Sequence, residues 1–333
     1  MALFYPPSFQ GNLKKKQYFE GWYCKHVSPE PIPTTLAVIP GISLGQDSHS
    51  FIQVNISRGP QIAESRYIRF PLTAAALDTK TFRVSIGNNH FSLGGMELNI
   101  SEPDFELSGT IEYHNPREYP VSLGRPGIMG PYRYVPAMEC YHGLVSAHHE
   151  LGGTMSMTTP LIQEPVHFTG GQGYIEKDWG KSFPSSWIWM QANSFTSSEN
   201  QEHQQGPVSF MLSVARIPWI GKTFTGFLGY LYINETYYPF ATYTGAVFHN
   251  LAVFPDRVTG RIMGKGFDLE FTALRDDGAE LTAPERGNMT RTIKESVAAS
   301  IELGVKLTGQ GDNYRGTSRA AGLEVSGEIA LDS

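Results

Sequence analysis

Apolar and polar residues alternate with a period of two along much of this chain. Phe105, Leu107, Ile111 and Tyr113 interleave with Glu106, Ser108, Thr110 and Glu112. Ile52, Val54 and Ile56 flank Gln53 and Asn55, and Val208, Phe210, Leu212 and Val214 repeat the pattern. Ile301, Leu303, Val305 and Leu307 carry it near the end. Successive side chains of a strand point to opposite faces, so each run predicts a strand with one buried face. No segment shows a 3.6-residue apolar stripe. Short strands divided by Gly, Asn, Asp and Pro turns suit barrels or sandwiches, and the expectation is an all-β chain.

Composition narrows the function. At 333 residues the chain exceeds one typical domain. Charged residues are 17%, against an average of ~25%, and aromatics are 12%, which predicts a large apolar interior. A formal charge of −6 argues against nucleic acid as a partner. Lys14–Lys16 is the only basic run; it reads first as a solvated turn and second as a peripheral contact with an anionic membrane surface. No apolar segment approaches the ~18 residues that span a bilayer, and the N-terminus lacks the basic region and apolar core of a secretory leader. A cytoplasmic protein with free thiols at Cys24 and Cys140 is expected. Phosphate-binding loops, dinucleotide fingerprints and a G-x-S-x-G elbow are absent from the sequence, so nucleotide-driven chemistry and serine hydrolysis drop out.

Candidate chemistry concentrates in Gly171–Phe195, GQGYIEKDWGKSFPSSWIWMQANSF, which holds three of the five tryptophans. Ionisable groups beside large aromatic faces point to a pocket for an apolar ligand. Asp178, abutting Trp179, is the first candidate for a proton donor; Glu176, Glu139 and Glu20 are the other carboxylates. Trp22, Trp179, Trp187 and Trp189 are candidate walls. Trp187, Trp189 and Gln191 share strand parity and Asn193 follows, so a polar head group would meet amides at the end of an apolar wall. The plainer readings are a salt bridge of Asp178 with Lys177 or Lys181, pairing of Glu20 and Glu176 with Lys25 or an arginine, and tryptophans that plug a core. His142 and His148, six residues apart, would sit ~20 Å from each other on an extended strand, too far for one metal. With no thiolate or carboxylate set at zinc-like spacing, no metal is expected, and His142 is read as a base or donor at a pocket rim.

EGWYCK (Glu20–Lys25) and EKDWGKSFPSSWIWMQAN (Glu176–Asn193) resemble the two signature segments of the tocopherol cyclase family. MECYHGLVSAHHELGG (Met138–Gly153) resembles its middle segment, and LTAPERGN (Leu281–Asn288) is a weaker match. The resemblance implies two lipocalin-like β-barrel or sandwich halves in tandem, related in fold to carotenoid hydratases. They are placed at residues 1–160 and 168–333, with the boundary in the proline-bearing Thr159–Phe168. The implied activity is cofactor-independent closure of a chromanol-type ring by protonation of a prenyl double bond of a prenylated hydroquinone. A non-catalytic carrier or sensor of a hydrophobic ligand and a hydratase of isoprenoid alkenes are the alternatives. Aromatic faces contribute ~0.5–2 kcal/mol each to a carbocation, whereas enzymes remove ~8 kcal/mol or more of barrier. An acid in fixed geometry must supply the rest. Asn115–Val135 holds no tryptophan where the plant enzymes carry a longer tryptophan-rich region, which implies a different head group or tail.

Overall fold

The structure, a computed structural model, describes residues 5–59, 63–122, 124, 126–136, 138–197, 206–219, 222–308 and 313–329. It is all-β and lipocalin-like, built on two large antiparallel sheets, with two short 3-10 turns at Leu72–Ala74 and Gly130–Tyr134. The first sheet begins with β1 (Tyr18–Val27), β2 (Thr34–Leu44), β3 (His49–Arg58), β4 (Ala63–Phe70), β5 (Ala75–Leu77) and β6 (Arg83–Ile86). It continues with β7 (Asn89–Ser92), β8 (Gly95–Glu102), β9 (Phe105–His114), β10 (Cys140–Thr158), β11 (Pro165–His167) and β12 (Gln172–Gly180). The strand order is β4-β3-β2-β1-β12-β10-β9-β8-β7-β6-β5, with β11 paired to β10.

Laid flat at ~4.8 Å per strand, this sheet would hold β3 and β6 roughly 40 Å apart. They touch, however. Trp22 of β1 stacks on Phe82 with centroids 6.1 Å apart, and Arg66 of β4 lies 5.4 Å over the ring of Phe105 on β9. The sheet therefore curls around one apolar core to which Ile52, Val54, Ile56, Phe105, Leu107, Ile111 and Tyr113 all contribute, as their alternation predicts. The end strands β4 and β5 do not pair, so the curl is not a closed barrel, which corrects the barrel half of the barrel-or-sandwich expectation.

The second sheet comprises β13 (Trp187–Ala192), β14 (Phe195–Ser197), β15 (Ser209–Trp219), β16 (Lys222–Ile233), β17 (Thr236–Ala241) and β18 (Val247–Val253). It also takes in β19 (Arg257–Gly264), β20 (Phe267–Leu274), β21 (Ala279–Glu285), β22 (Asn288–Leu307) and β23 (Asn313–Ser326). Its main path runs β17-β16-β15-β13-β23-β22-β20-β19-β18. Phe210, Leu212 and Val214 meet Ile301, Leu303 and Val305 in its core.

By compactness the chain divides into Met1–Phe183 with Ala279–Ile293, and Pro184–Gly278 with Lys294–Ser333. The division falls at Phe183/Pro184, downstream of Thr159–Phe168. The reason is β12, which lies beyond that proline-bearing segment yet is hydrogen-bonded on one side to β1 and on the other to β10. Cys24 and Cys140 are both free thiols. Cys24 pairs in register with Ile175 and Cys140 with Gly180, an odd spacing along β12 that puts the two on opposite faces of the sheet.

Candidate active site

β12 organises the chemistry because its two faces differ. Ile175, Lys177 and Trp179 point to the apolar core with Trp22 and Cys24 of β1, whereas Tyr174, Glu176 and Asp178 point the other way. Asp178 and Trp179 are adjacent in sequence and therefore lie on opposite sides of the sheet. The adjacency that singled out Asp178 thus places the tryptophan away from it.

On the inner face, Lys177 and Glu20 form an ion pair with Nζ–Oε1 2.5 Å, both side chains fully buried. The ammonium also donates to the carbonyls of Pro6 (3.0 Å) and Ser8 (2.5 Å), which uses its three protons. It lies 4.7 Å over the ring of Trp22 and 4.8 Å over that of Trp179. Burial, which outweighs the attraction of Glu20, brings its pKa down to about 8. Glu20 further accepts from the Tyr18 hydroxyl and, at 2.8 Å, from the Gln10 amide, and Trp22 Nε1 donates to Pro7 O at 2.8 Å. The chain's own N-terminal segment thus satisfies this cluster. Glu20, Trp22 and Trp179, expected at a ligand pocket, here hold a structural ion pair. The partner of Glu20 is Lys177, because Lys25 has the opposite parity on β1.

On the outer face, β10 and β12 bring His142 directly opposite Asp178, one register step from Glu176. His142 Nδ1 lies 2.9 Å from Asp178 Oδ1, and Nε2 lies 3.4 Å from Glu176 Oε2. The Tyr174 hydroxyl donates to Glu176 Oε2 at 2.5 Å, and the His142 amide lies 3.1 Å from Met129 Sδ. Burial alone would lower the His142 pKa, but the two carboxylates overcome it and raise the imidazole to about 9. His142 is therefore an imidazolium at neutral pH. The side chain of Asp178 is 23% exposed against 5% for Glu176, so Asp178 is the carboxylate a ligand can reach.

Buried apolar side chains adjoin it. Tyr23 stands opposite Glu176, Phe19 opposite Gly180, and Gly21 opposite Asp178. Gly21 in turn faces Gly41 of β2. A Cβ on Gly41 would lie 2.5 Å from Cζ of Phe51, so this glycine is required for the Phe51 ring to cross toward Gly21. Phe51, Tyr23, Gly21 and Tyr174 are parts of these clusters that the sequence reading did not assign, and Lys177, read there as a partner of Asp178, pairs with Glu20 on the other face. Strand parity from Glu20 and Asp178 was the signal available for Gly21, Tyr23, Tyr174 and Lys177, whereas Phe51 arrives only through the pairing of β3 with β2.

The other candidates fall elsewhere. Glu139 acts through its carbonyl, which accepts from the amides of Lys181 (2.7 Å) and Ser182 (3.2 Å). Trp187, Trp189, Gln191 and Asn193 belong to the second unit. Ile188, Met190 and Ala192 of β13 face that unit's core, so Trp187, Trp189 and Gln191 occupy the opposite face, where Trp187 Nε1 donates to Glu324 Oε2 at 2.5 Å. Between His142 and His148 the register of β10 with β12 shifts twice, between Leu144 and Ser146 and between Ser146 and His149. The His142 partners come from the neighbouring strand. Among the described residues His142, Glu176 and Asp178 are a group whose donor atoms all lie within 4.8 Å, a spacing a metal ion would accept. The expectation of no metal weighed only donors along one strand. In this arrangement both ring nitrogens face carboxylates, which makes an acid–base relay.

Comparisons with known proteins fit this architecture. A protein assigned as AttH from Nitrosomonas europaea superposes with TM-score 0.53 and 17% identity over 92% of each chain. Kievitone hydratase from Nectria haematococca superposes with TM-score 0.52 and 11% identity, covering 92% of this chain and 89% of its own. A comparison with curated protein sequences gave no match. The profile of the family described as tocopherol cyclase-like matches residues 129–327, more than half of the sequence and including β10, β12 and the His142–Glu176–Asp178 cluster. The chain belongs to the tocopherol cyclase-like family.

Proposed function

We propose that this protein is an alkene-protonating cyclase, which closes a chromanol-type ring on a prenylated hydroquinone without a cofactor. The observation that carries the reading is the His142–Asp178 contact: a proton held on an imidazolium 2.9 Å from a partly open carboxylate beside aromatic side chains.

An imidazolium with a pKa near 9 is too weak to protonate an alkene itself. An apolar substrate that covers the pair excludes water and disfavours its separated charges, so the shared proton reaches Asp178 in a minor, higher-energy tautomer with neutral His142, and in that tautomer the carboxylic acid is the stronger acid of the two. Asp178 then gives it to one alkene carbon. The π pair forms the new C–H bond, and a tertiary cation is left on the other carbon. A phenolic oxygen attacks that cation to form the C–O bond, and its proton returns to the Asp178 carboxylate. Atoms and charge balance, and the acid is regenerated. Glu176, fixed by Tyr174, keeps the imidazole charged between turnovers. Phe51, Phe19 and Tyr23 supply faces for the prenyl chain and the cation.

Hydration is the second reading, favoured by the likeness to kievitone hydratase. It shares the protonation step and differs only in that water captures the cation. The test is incubation with a prenylated hydroquinone in detergent, with chromatography and mass spectrometry of the products. A new isomer of equal mass supports the cyclase. A product heavier by one water replaces cyclisation with hydration, and unchanged ligand retained by the protein contradicts turnover.

A further inference from the structure

The protein carries a net charge of −6, yet one end of its first unit is basic. Leu13, Lys14, Lys15 and Lys16 are all exposed, Leu13 by 47%. They sit in a tight turn closed by Lys14 N→Asn12 Oδ1 and Lys15 N→Asn12 O, both 2.9 Å. Lys15 Nζ rests 4.1 Å over the Tyr18 ring at the start of β1. Two further segments meet the turn. Gly287, at φ +80°, packs so closely that a Cβ there would lie 2.4 Å from the Gln17 Cα. Its amide donates to Lys181 O at 2.7 Å, and the Arg286 amide donates to Ser182 Oγ at 2.7 Å. Lys181 and Arg286 are exposed. Across residues 11–17, 181–183 and 285–288 five cations therefore stand against one carboxylate, Glu285. The half-buried Arg133 joins them through Gln10, to which it donates at 3.3 Å, and beside it Tyr134 is 63% exposed.

We infer that this end of the first unit docks on an anionic lipid bilayer, with Leu13 entering the interface and the lysines meeting the headgroups. Charge complementarity selects the partner. An exposed aliphatic residue inside a lysine run suits a surface with an apolar layer beneath its charge, and exposed tyrosine is enriched at such interfaces. The placement also serves the proposed reaction, on which this last point alone rests. Lys181 follows the last residue of β12 and stands three residues, at most ~10 Å of chain, beyond Asp178, so a lipid-borne substrate would arrive at the end of the sheet that carries the acid.

The test is flotation of the full chain with vesicles of phosphatidylcholine alone or mixed with phosphatidylserine, without substrate and without reading turnover. Its result is thus independent of the acid-site assignment. The wild type is expected to float with the anionic vesicles only and to be released by salt, as screening shortens from ~10 Å at 0.1 M to ~3 Å at 1 M. Lys14→Gln, Lys15→Gln and Lys16→Gln together should weaken binding roughly 100-fold. Lys265→Gln with Lys294→Gln, exposed positions of the second unit, should leave it unchanged. Equal binding to neutral vesicles, no binding, or an undiminished triple variant would overturn the inference. So would capture by single-stranded RNA in place of vesicles, or equal weakening by the control pair.

Discussion

His142 should make the stability of this protein fall as pH rises through a defined window. Its folded pKa is raised from 6.5 to about 9 by Glu176 and Asp178, against the opposing effect of burial. The folded state therefore binds one more proton than the unfolded state between those values, and stability falls with pH across them. The contribution is fully present below pH 6.5 and lost by about pH 9. At ~1.4 kcal/mol per pKa unit, the swing is on the order of 3 kcal/mol, with little solvent screening because the side chain is 11% exposed. His142→Gln keeps an amide donor for Asp178 but leaves two carboxylates facing one another without a cation. Urea unfolding at pH 6 should show the variant less stable than the wild type, and the gap should close by pH 9.5. Lys177, whose folded pKa is lowered, titrates in both proteins and cancels from the difference. Parallel stability profiles for the two proteins from pH 6 to 9.5 would show that His142 is not charged in the folded state, and the relay would be refuted.

Two further substitutions separate the faces of β12. Asp178→Asn should abolish turnover of a prenylated hydroquinone while ligand retention stays nearly intact, as read by product chromatography and equilibrium dialysis; normal turnover would remove Asp178 from the reaction. Lys177→Met should cost about 3–5 kcal/mol of unfolding free energy, because it strands the buried Glu20 carboxylate and the Pro6 and Ser8 carbonyls. A urea midpoint equal to that of the wild type would contradict the structural role given to the pair.

The all-β fold was legible in period-two alternation, and the core positions read from it at Ile52–Ile56, Phe105–Tyr113 and Ile301–Leu307 are core positions in the structure. Alternation fixes which face a residue takes but says nothing about which strand lies alongside. The insertion of β12 between β1 and β10 is a long-range pairing, and it alone brings Glu20 to Lys177 and His142 to Asp178. The candidate site was legible in its members and not in its grouping. Asp178, Glu176 and His142 were all singled out, yet Asp178 was linked to Trp179 by adjacency, which in a strand separates side chains across the sheet. Trp187 and Trp189 do share one face, as parity requires, but that face is opposite the core of the second unit.

The central claim is that a proton from the His142–Asp178 pair reaches an alkene carbon, and incorporation of solvent deuterium tests it most directly. The wild-type protein would be incubated with a prenylated hydroquinone in deuterium oxide, and the product back-exchanged in ordinary water before mass spectrometry. One non-exchangeable deuterium on carbon in the cyclised product, with no such product from Asp178→Asn, is the expected result. A cyclised product without carbon-bound deuterium, or the same labelled product from Asp178→Asn, would contradict it.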